Sequence, residues 1–134
     1  FGYNASSFVD MPISHKVFLA QFDTIKKIAD EGPCVIVGRC ADFILREKTN
    51  VLRVFIYASM EERIRRAVEE YGYSEKKALD VIAKSDKGRA RHYATFTEWD
   101  WGDRRNYDLM LNAGSLGVDA AAQMICHAAQ DAEK

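Results

Sequence analysis

Nine residues, "NVLRVFIYA" at 50 to 58, restrict the fold more than any other stretch of this chain. They are rich in β-branched and aromatic side chains, which suit a pleated, half-buried surface, so they are expected to form a strand. Two further apolar runs, "CVIV" at 34 to 37 and "YDLMLN" at 107 to 112, also read as strands, and helical patterns lie between them. The run at 34 to 37 is apolar throughout and is therefore expected to be covered on both faces. Strands separated by helices form βαβ units, which predicts an α/β fold: a parallel sheet flanked by helices. Ligands of such a sheet sit beyond the carboxyl ends of its strands.

The helices announce their ends. Ser14 is expected to cap a first helix whose apolar positions Val17, Phe18, Ile25, Ile28 and Ala29 recur at helical spacing until Gly32 and Pro33 stop it. Residues 40 to 47 suit a short helix. Ser59 and Glu62 form a capping box for the next, and Gly72 ends it. Ser74 opens a longer helix in which Leu79, Ile82, Asp86, Arg89, Tyr93 and Phe96 share one stripe, with Gly88 as a site for a hinge or kink. Residues 117 to 130 read as a closing, alanine-rich helix.

A length of 134 residues fits a single domain, 1–134. The formal net charge of −1, with 48% hydrophobic and 29% charged residues, favours neither disorder nor a field that would attract duplex nucleic acid. No apolar run reaches the ~20 residues needed to span a bilayer, and the opening "FGYNASSFVDMP" lacks the regions of a signal peptide, so a soluble, cytoplasmic protein without membrane partners is expected. Cys34, Cys40 and Cys126 form no C-x-x-C pair and are expected to be small buried thiols. His15, His92 and His127 lack metal-ligand spacing, and no metal ligands are identified. The chain starts at Phe1 in what reads as the middle of a loop, and further residues upstream are expected.

Three groups of charged residues could carry chemistry. Gly38 lets the backbone turn at the end of the first apolar run; Arg39 then offers a planar fork of donors suited to phosphate oxygens, and Asp42 follows one turn later. A local ion pair at a helix start is the plain alternative. In "KSDKGRARHY", 84 to 93, Lys84, Lys87, Arg89, Arg91 and His92 crowd together, while Asp86 and Arg89 interrupt an apolar stripe. That stripe either leaves the core to face a cleft, or the two residues pair at i and i+3 near the surface. In "EERIRRAVEEYG", the pairs Glu62–Arg66, Arg65–Glu69 and Arg66–Glu70 have i,i+4 spacing and suit a solvated face, whereas Arg63 has no such partner. Trp99, Trp101 and Tyr107 are expected to cover the sheet edge, with stacking on a nucleobase as the lesser alternative.

In this order the segments resemble the cytidylate kinase-like branch of the P-loop nucleoside monophosphate kinases. The resemblance runs from "FLAQFDTIKKIADEGPCVIVGRCADFIL" through "LRVFIYASMEERIRRAVEEYGYSEKKALDVIAKSDKGRARHY" to "WGDRRNYDLMLNAGSLGVDAAAQMI". It implies a kinase that moves the γ-phosphoryl group of ATP to a nucleoside monophosphate, with CMP as the candidate acceptor, Mg²⁺ as cofactor and small nucleotides as partners. It implies that Arg39 and Asp42 contact the acceptor. It also implies that residues 59–98 form a helical lid over the phosphate donor. There Arg89, Lys87, Arg63 and Arg66 carry the catalytic charge, and Asp86 and Tyr93 stand at the substrate.

The family's defining loop is missing from these residues. Nothing in 1 to 134 matches G-x-x-x-x-G-K-[ST], whose backbone N–H groups cradle the donor phosphates. The expectation is that the first strand and the P-loop precede Phe1. The alternative is a nucleotide-binding or regulatory module that keeps a kinase-like fold and does no chemistry. Oligomeric state is left open.

Overall fold

The computed structural model describes residues 10–132, a helix-rich α/β chain that divides into two compact units, Phe1–Lys48 and Thr49–Lys134. In the first, helix α1 spans Ile13–Glu31 and a short helix α2 spans Ala41–Ile44. The two pack together, and Phe22 and Ile25 of α1, with Cys40, Ala41, Ile44 and Leu45, are buried. Lys48 donates to the Asp30 carboxylate near the end of α1. The helix begins one residue before the expected cap. Pro12 is the N-cap and its carbonyl accepts from the His15 and Lys16 N–H groups, which leaves Ser14 inside the first turn. A proline's fixed φ can set that start without a side-chain cap.

The expected strand at 34 to 37 is a correction. Residues 33–37 are irregular, no strand pairs with them among the described residues, and Val35 and Val37 are 92% and 86% exposed. Apolar content favours a strand only where another backbone takes up its N–H and C=O groups. The cysteine reading is likewise corrected, since Cys40 is buried but Cys34 and Cys126 are exposed.

The second unit holds the sheet. Strands β1 (Val54–Tyr57) and β2 (Leu109–Asn112) run parallel, in register from Val54 opposite Leu109 to Tyr57 opposite Asn112. The sheet is thus parallel, as the strand and helix alternation predicts, with two strands among the described residues rather than three. Its start is pinned where the Arg53 N–H donates to the Asp108 carboxylate at 2.8 Å, while the Asp108 and Leu109 N–H groups donate back to the Arg53 carbonyl. Phe55 of β1 packs its ring on Trp101 and Tyr107, with centroids 5.4 and 4.9 Å away. These contacts set aromatic surface from the segment before β2 against β1.

Helices α3 (Met60–Tyr71) and α4 (Glu75–Thr97) fill the connection between the strands and pack on each other. Their ends are those the sequence announces. The Ser59 Oγ accepts from the Glu62 N–H at 3.1 Å, Gly72 closes α3 with φ of 68°, and the Ser74 Oγ accepts from the Lys77 N–H at 3.2 Å. Helix α4 runs unbroken through Gly88. Its inward stripe is rotated at the start: Ala78 is fully buried and Leu79 is 44% exposed, while Ile82, Asp86, Tyr93 and Phe96 keep their expected inward places. Successive helical residues point about 100° apart, so the choice of Ala78 turns Leu79 outward.

After β2, the short helix α5 (Ala113–Leu116) is capped by the Asn112 side chain, which accepts from the Ser115 N–H, and α6 (Val118–Ala132) closes the chain. Gly114 lies so close to the end of β1 and the start of α3 that a Cβ there would meet the Ala58 Cβ at 2.9 Å and the Glu62 side chain at 3.3 Å. Gly114→Ala should therefore cost roughly 1–3 kcal/mol through overpacking. Gly88→Ala, in a helix interior with nothing within 4 Å of the new methyl, should gain about 1 kcal/mol. Urea unfolding of the two variants checks both the signs and the contrast.

Candidate functional site

The predicted site residues fall into the two units. Arg39 and Asp42 belong to the first, where the chain passes from the irregular run 33–37 into α2. Gly38, Arg39 and Cys40 all have positive φ, at 69°, 57° and 58°, and the Ala41 N–H donates to the Gly38 carbonyl at 3.1 Å. Two central residues with positive φ make a turn of the I′ kind, which is easy for glycine and costs other L-residues roughly 1–2 kcal/mol each. Such strain persists only where surrounding contacts enforce it, and here the buried Cys40, Ala41, Ile44 and Leu45 do so. The turn exposes Arg39 beside an open groove of about 340 Å³ lined by Val17, Ala20, Gln21, Thr24, Ile25 and Ile36. Asp42 stands half-buried in the first turn of α2. The Cys40 thiol is pushed up to about 11, first by its burial and then by the Asp42 charge, so it stays protonated and inert at neutral pH.

The other six residues lie on α3 and α4, and the structure brings three of them together. Arg63 of α3 grips Asp86 of α4 with both ends of its fork, Nη1 to Oδ2 and Nη2 to Oδ1, each at 2.6 Å. Arg89, one turn further along α4, donates its Nη2 to the same Oδ1. Of the two readings of the interrupted stripe the pair is observed: Asp86 and Arg89 meet at i and i+3, and Arg63, which lacked a partner on its own helix, completes the cluster from the neighbouring one. The pairing spans 23 residues of sequence.

Asp86 is only 26% exposed, and a partly buried carboxylate between two guanidiniums favours its ionised form. The hydrogen bond from Arg63, and after it that from Arg89, holds the Asp86 carboxyl below its ordinary range against the opposing effect of burial.

The remaining three separate. Arg66 is exposed and its Nε donates to Glu70 at 2.9 Å, as its spacing predicts. Arg65 takes Glu69 as expected, but it also takes Glu62, at 2.8 Å, which the sequence had assigned to Arg66. Lys87 is exposed and has no ionic partner among the described residues. Tyr93 is buried in the core, where its carbonyl accepts from the Thr97 hydroxyl at 2.6 Å.

One contact escaped the sequence reading. Trp101 packs on Phe55 of β1, and its ring also carries the Arg89 guanidinium, 4.7 Å from the centroid. Nothing in the sequence couples these two, because the end of α4 and a loop intervene. The chemistry available here is charge stabilisation of an anion. Among the described residues no group of three or more His, Cys, Asp or Glu side chains could hold a metal ion. Nor is any helix among them long and apolar enough to cross a membrane.

Comparison with known proteins shows the family and its relatives. Residues 1–115 match the model of the "Cytidylate kinase-like family". The cytidylate kinase of Thermococcus kodakarensis is 28% identical over 97 residues, covering 72% of this chain and 49% of that protein. A curated uronate isomerase of Corynebacterium glutamicum is 26% identical over 103 residues, which cover 77% of this chain and 20% of that protein. The crystal structure of an uncharacterized protein from Eubacterium ventriosum superposes with a TM-score of 0.84 at 34% identity, covering 93% of this chain and 70% of that one. The chain thus spans about half of the curated kinase and one fifth of the isomerase.

Asp86→Asn should loosen the joint between α3 and α4. A carboxyl whose folded pKa is depressed adds stability that is fully present above its unfolded value of about 3.9 and is lost as the pH falls through the lower folded value. The stability gap between wild type and Asp86→Asn should therefore be constant from pH 7 to about 5 and shrink below about 4. Urea unfolding at a series of pH values reads this directly, and a gap independent of pH would contradict it.

Proposed function

Because the chain belongs to the cytidylate kinase-like family, we propose that the protein containing it transfers the γ-phosphoryl group of ATP to a nucleoside monophosphate, with CMP as the preferred acceptor. The observation that carries this reading is the Arg63–Asp86–Arg89 cluster, which fixes a guanidinium on the helical segment that the family uses over the phosphate donor. Phosphoryl transfer needs little covalent chemistry from the protein. It needs the donor and acceptor held in line, and cations where charge gathers on the transferring group.

In this reading Arg39 orients the acceptor phosphate, since its turn presents the fork away from the core and beside an apolar groove suited to the flat part of a nucleotide. Asp42, one turn along, accepts from an amine or hydroxyl of the same molecule. Arg89 and the exposed Lys87 close over the donor phosphates, Arg66 adds charge from α3, and Arg63 and Asp86 act through Arg89. Residues 59–98 then form the lid. ATP supplies the phosphoryl group and Mg²⁺ accompanies it from elsewhere in the protein. The isomerase activity in the name of the Corynebacterium relative is that protein's own, most of which lies outside the matched segment.

Transfer of labelled phosphate from ATP, with CMP compared against the other nucleoside monophosphates in the full-length protein, is the direct test. Arg39→Met should raise the KM for the acceptor about 10- to 100-fold, the worth of a charge-assisted pair of hydrogen bonds, and leave the KM for ATP unchanged. Tight CMP binding without turnover of any monophosphate would favour a nucleotide-binding module instead.

A further inference from the structure

Arg89 is held in an unusual way for an exposed arginine. One edge of its guanidinium donates to Asp86, which is itself gripped at both oxygens by Arg63, and one face lies on the Trp101 ring, 4.7 Å from the centroid. Trp101 is anchored in turn, its ring set edge-on against Phe55 of β1 with centroids 5.4 Å apart. Helix α3, helix α4, the loop after α4 and the sheet therefore all bear on one side chain. Its Nε and Nη1 find no partner among the described residues, and the side chain remains 52% exposed. A long flexible arginine is thus held by contacts on one edge and one face that leave its Nε and Nη1 donors unused among the described residues.

We propose that Trp101 and Asp86 are positioning residues that pre-organise Arg89 to bind the phosphate chain of a nucleoside triphosphate. Fixing a side chain before the ligand arrives removes the ordering cost from binding, and a guanidinium matches paired phosphate oxygens. A ring face contributes by attraction to the cation and leaves every N–H free. Asp86 uses only one donor of Arg89, because Arg63 occupies the rest of the carboxylate. The identification of the anion as a triphosphate rests on the phosphotransferase reading; the clamp rests on the geometry alone.

The experiment measures binding of inorganic tripolyphosphate to the full-length protein by calorimetry at fixed ionic strength. Trp101→Leu should weaken binding about two- to fivefold, the worth of one exposed cation–π contact, whereas Trp101→Phe, which keeps a ring face, should stay within about twofold of wild type. Arg89→Met should weaken it at least about tenfold. The discriminating measurement is the double variant: in the Arg89→Met background Trp101→Leu should cost no further affinity, because its effect passes through Arg89. A purely structural Trp101 would lower affinity by the same factor in both backgrounds, and that result overturns the proposal. So does wild-type affinity in Trp101→Leu, or a wild-type protein that does not bind tripolyphosphate.

Should Trp101→Leu fail to fold, a second readout decides. In Trp99→Phe protein, where Trp101 is the remaining tryptophan of this chain, saturation with tripolyphosphate should change the Trp101 emission, and Arg89→Met should abolish that change. An emission indifferent to tripolyphosphate overturns the clamp. Failure of phosphoryl transfer to CMP with the binding cycle intact would sink the kinase reading and leave the clamp standing.

Discussion

The parallel pairing of β1 with β2 is the constraint from which the second unit follows. Two parallel strands cannot be joined by a tight turn, so everything between Tyr57 and Leu109 has to return along the sheet. Helices α3 and α4 and the aromatic loop occupy that return path. Their positions are set at both ends: by the Ser59 cap and Gly114 contact beyond β1, and by the Arg53–Asp108 bonds before β2. With the ends of the connection fixed, the two helices pack on each other and the loop falls against Phe55.

Within that connection the chain places a carboxylate where an apolar side chain would be the simpler choice. Taking Asp86 partly out of water is tolerable only because Arg63 meets both oxygens, and breaking such a pair would leave a charge poorly solvated. An apolar contact could hold α3 to α4 as firmly. It could not fix the orientation of Arg89, which needs a directional acceptor on one edge and a flat surface beneath. The ion cluster is thus better explained by what it does to Arg89 than by what it adds to stability.

The first unit solves a related problem with backbone rather than side chains. Three successive residues of positive φ reverse the chain at Gly38 to Cys40, and the burial of Cys40 and α2 keeps them there. Arg39 is presented by conformation, without an ion-pair partner among the described residues, whereas Arg89 is presented by contacts. In the proposed reading both devices serve to handle phosphate, and the chain spans about half of the curated kinase.

What the sequence determined by itself is local. Ser59, Gly72 and Ser74 mark the helix ends correctly because a cap is satisfied within a few residues, and the strand content of residues 50 to 58 and 107 to 112 is legible because side-chain shape acts locally too. The same reasoning misplaced the first apolar run, since "CVIV" has strand character but a strand exists only where another backbone pairs with it. It also put Leu79 inward, because helical period gives the spacing of a stripe but not the rotation of the helix about its axis. Which charges meet was decided by the tertiary structure alone. Arg63 and Asp86 come together across 23 residues, and Arg89 finds Trp101 across a helix end, because packing of α3, α4 and the sheet brings them within reach. Residue types announce that a phosphate site could exist; only the fold turns one of its arginines into a fixed fork.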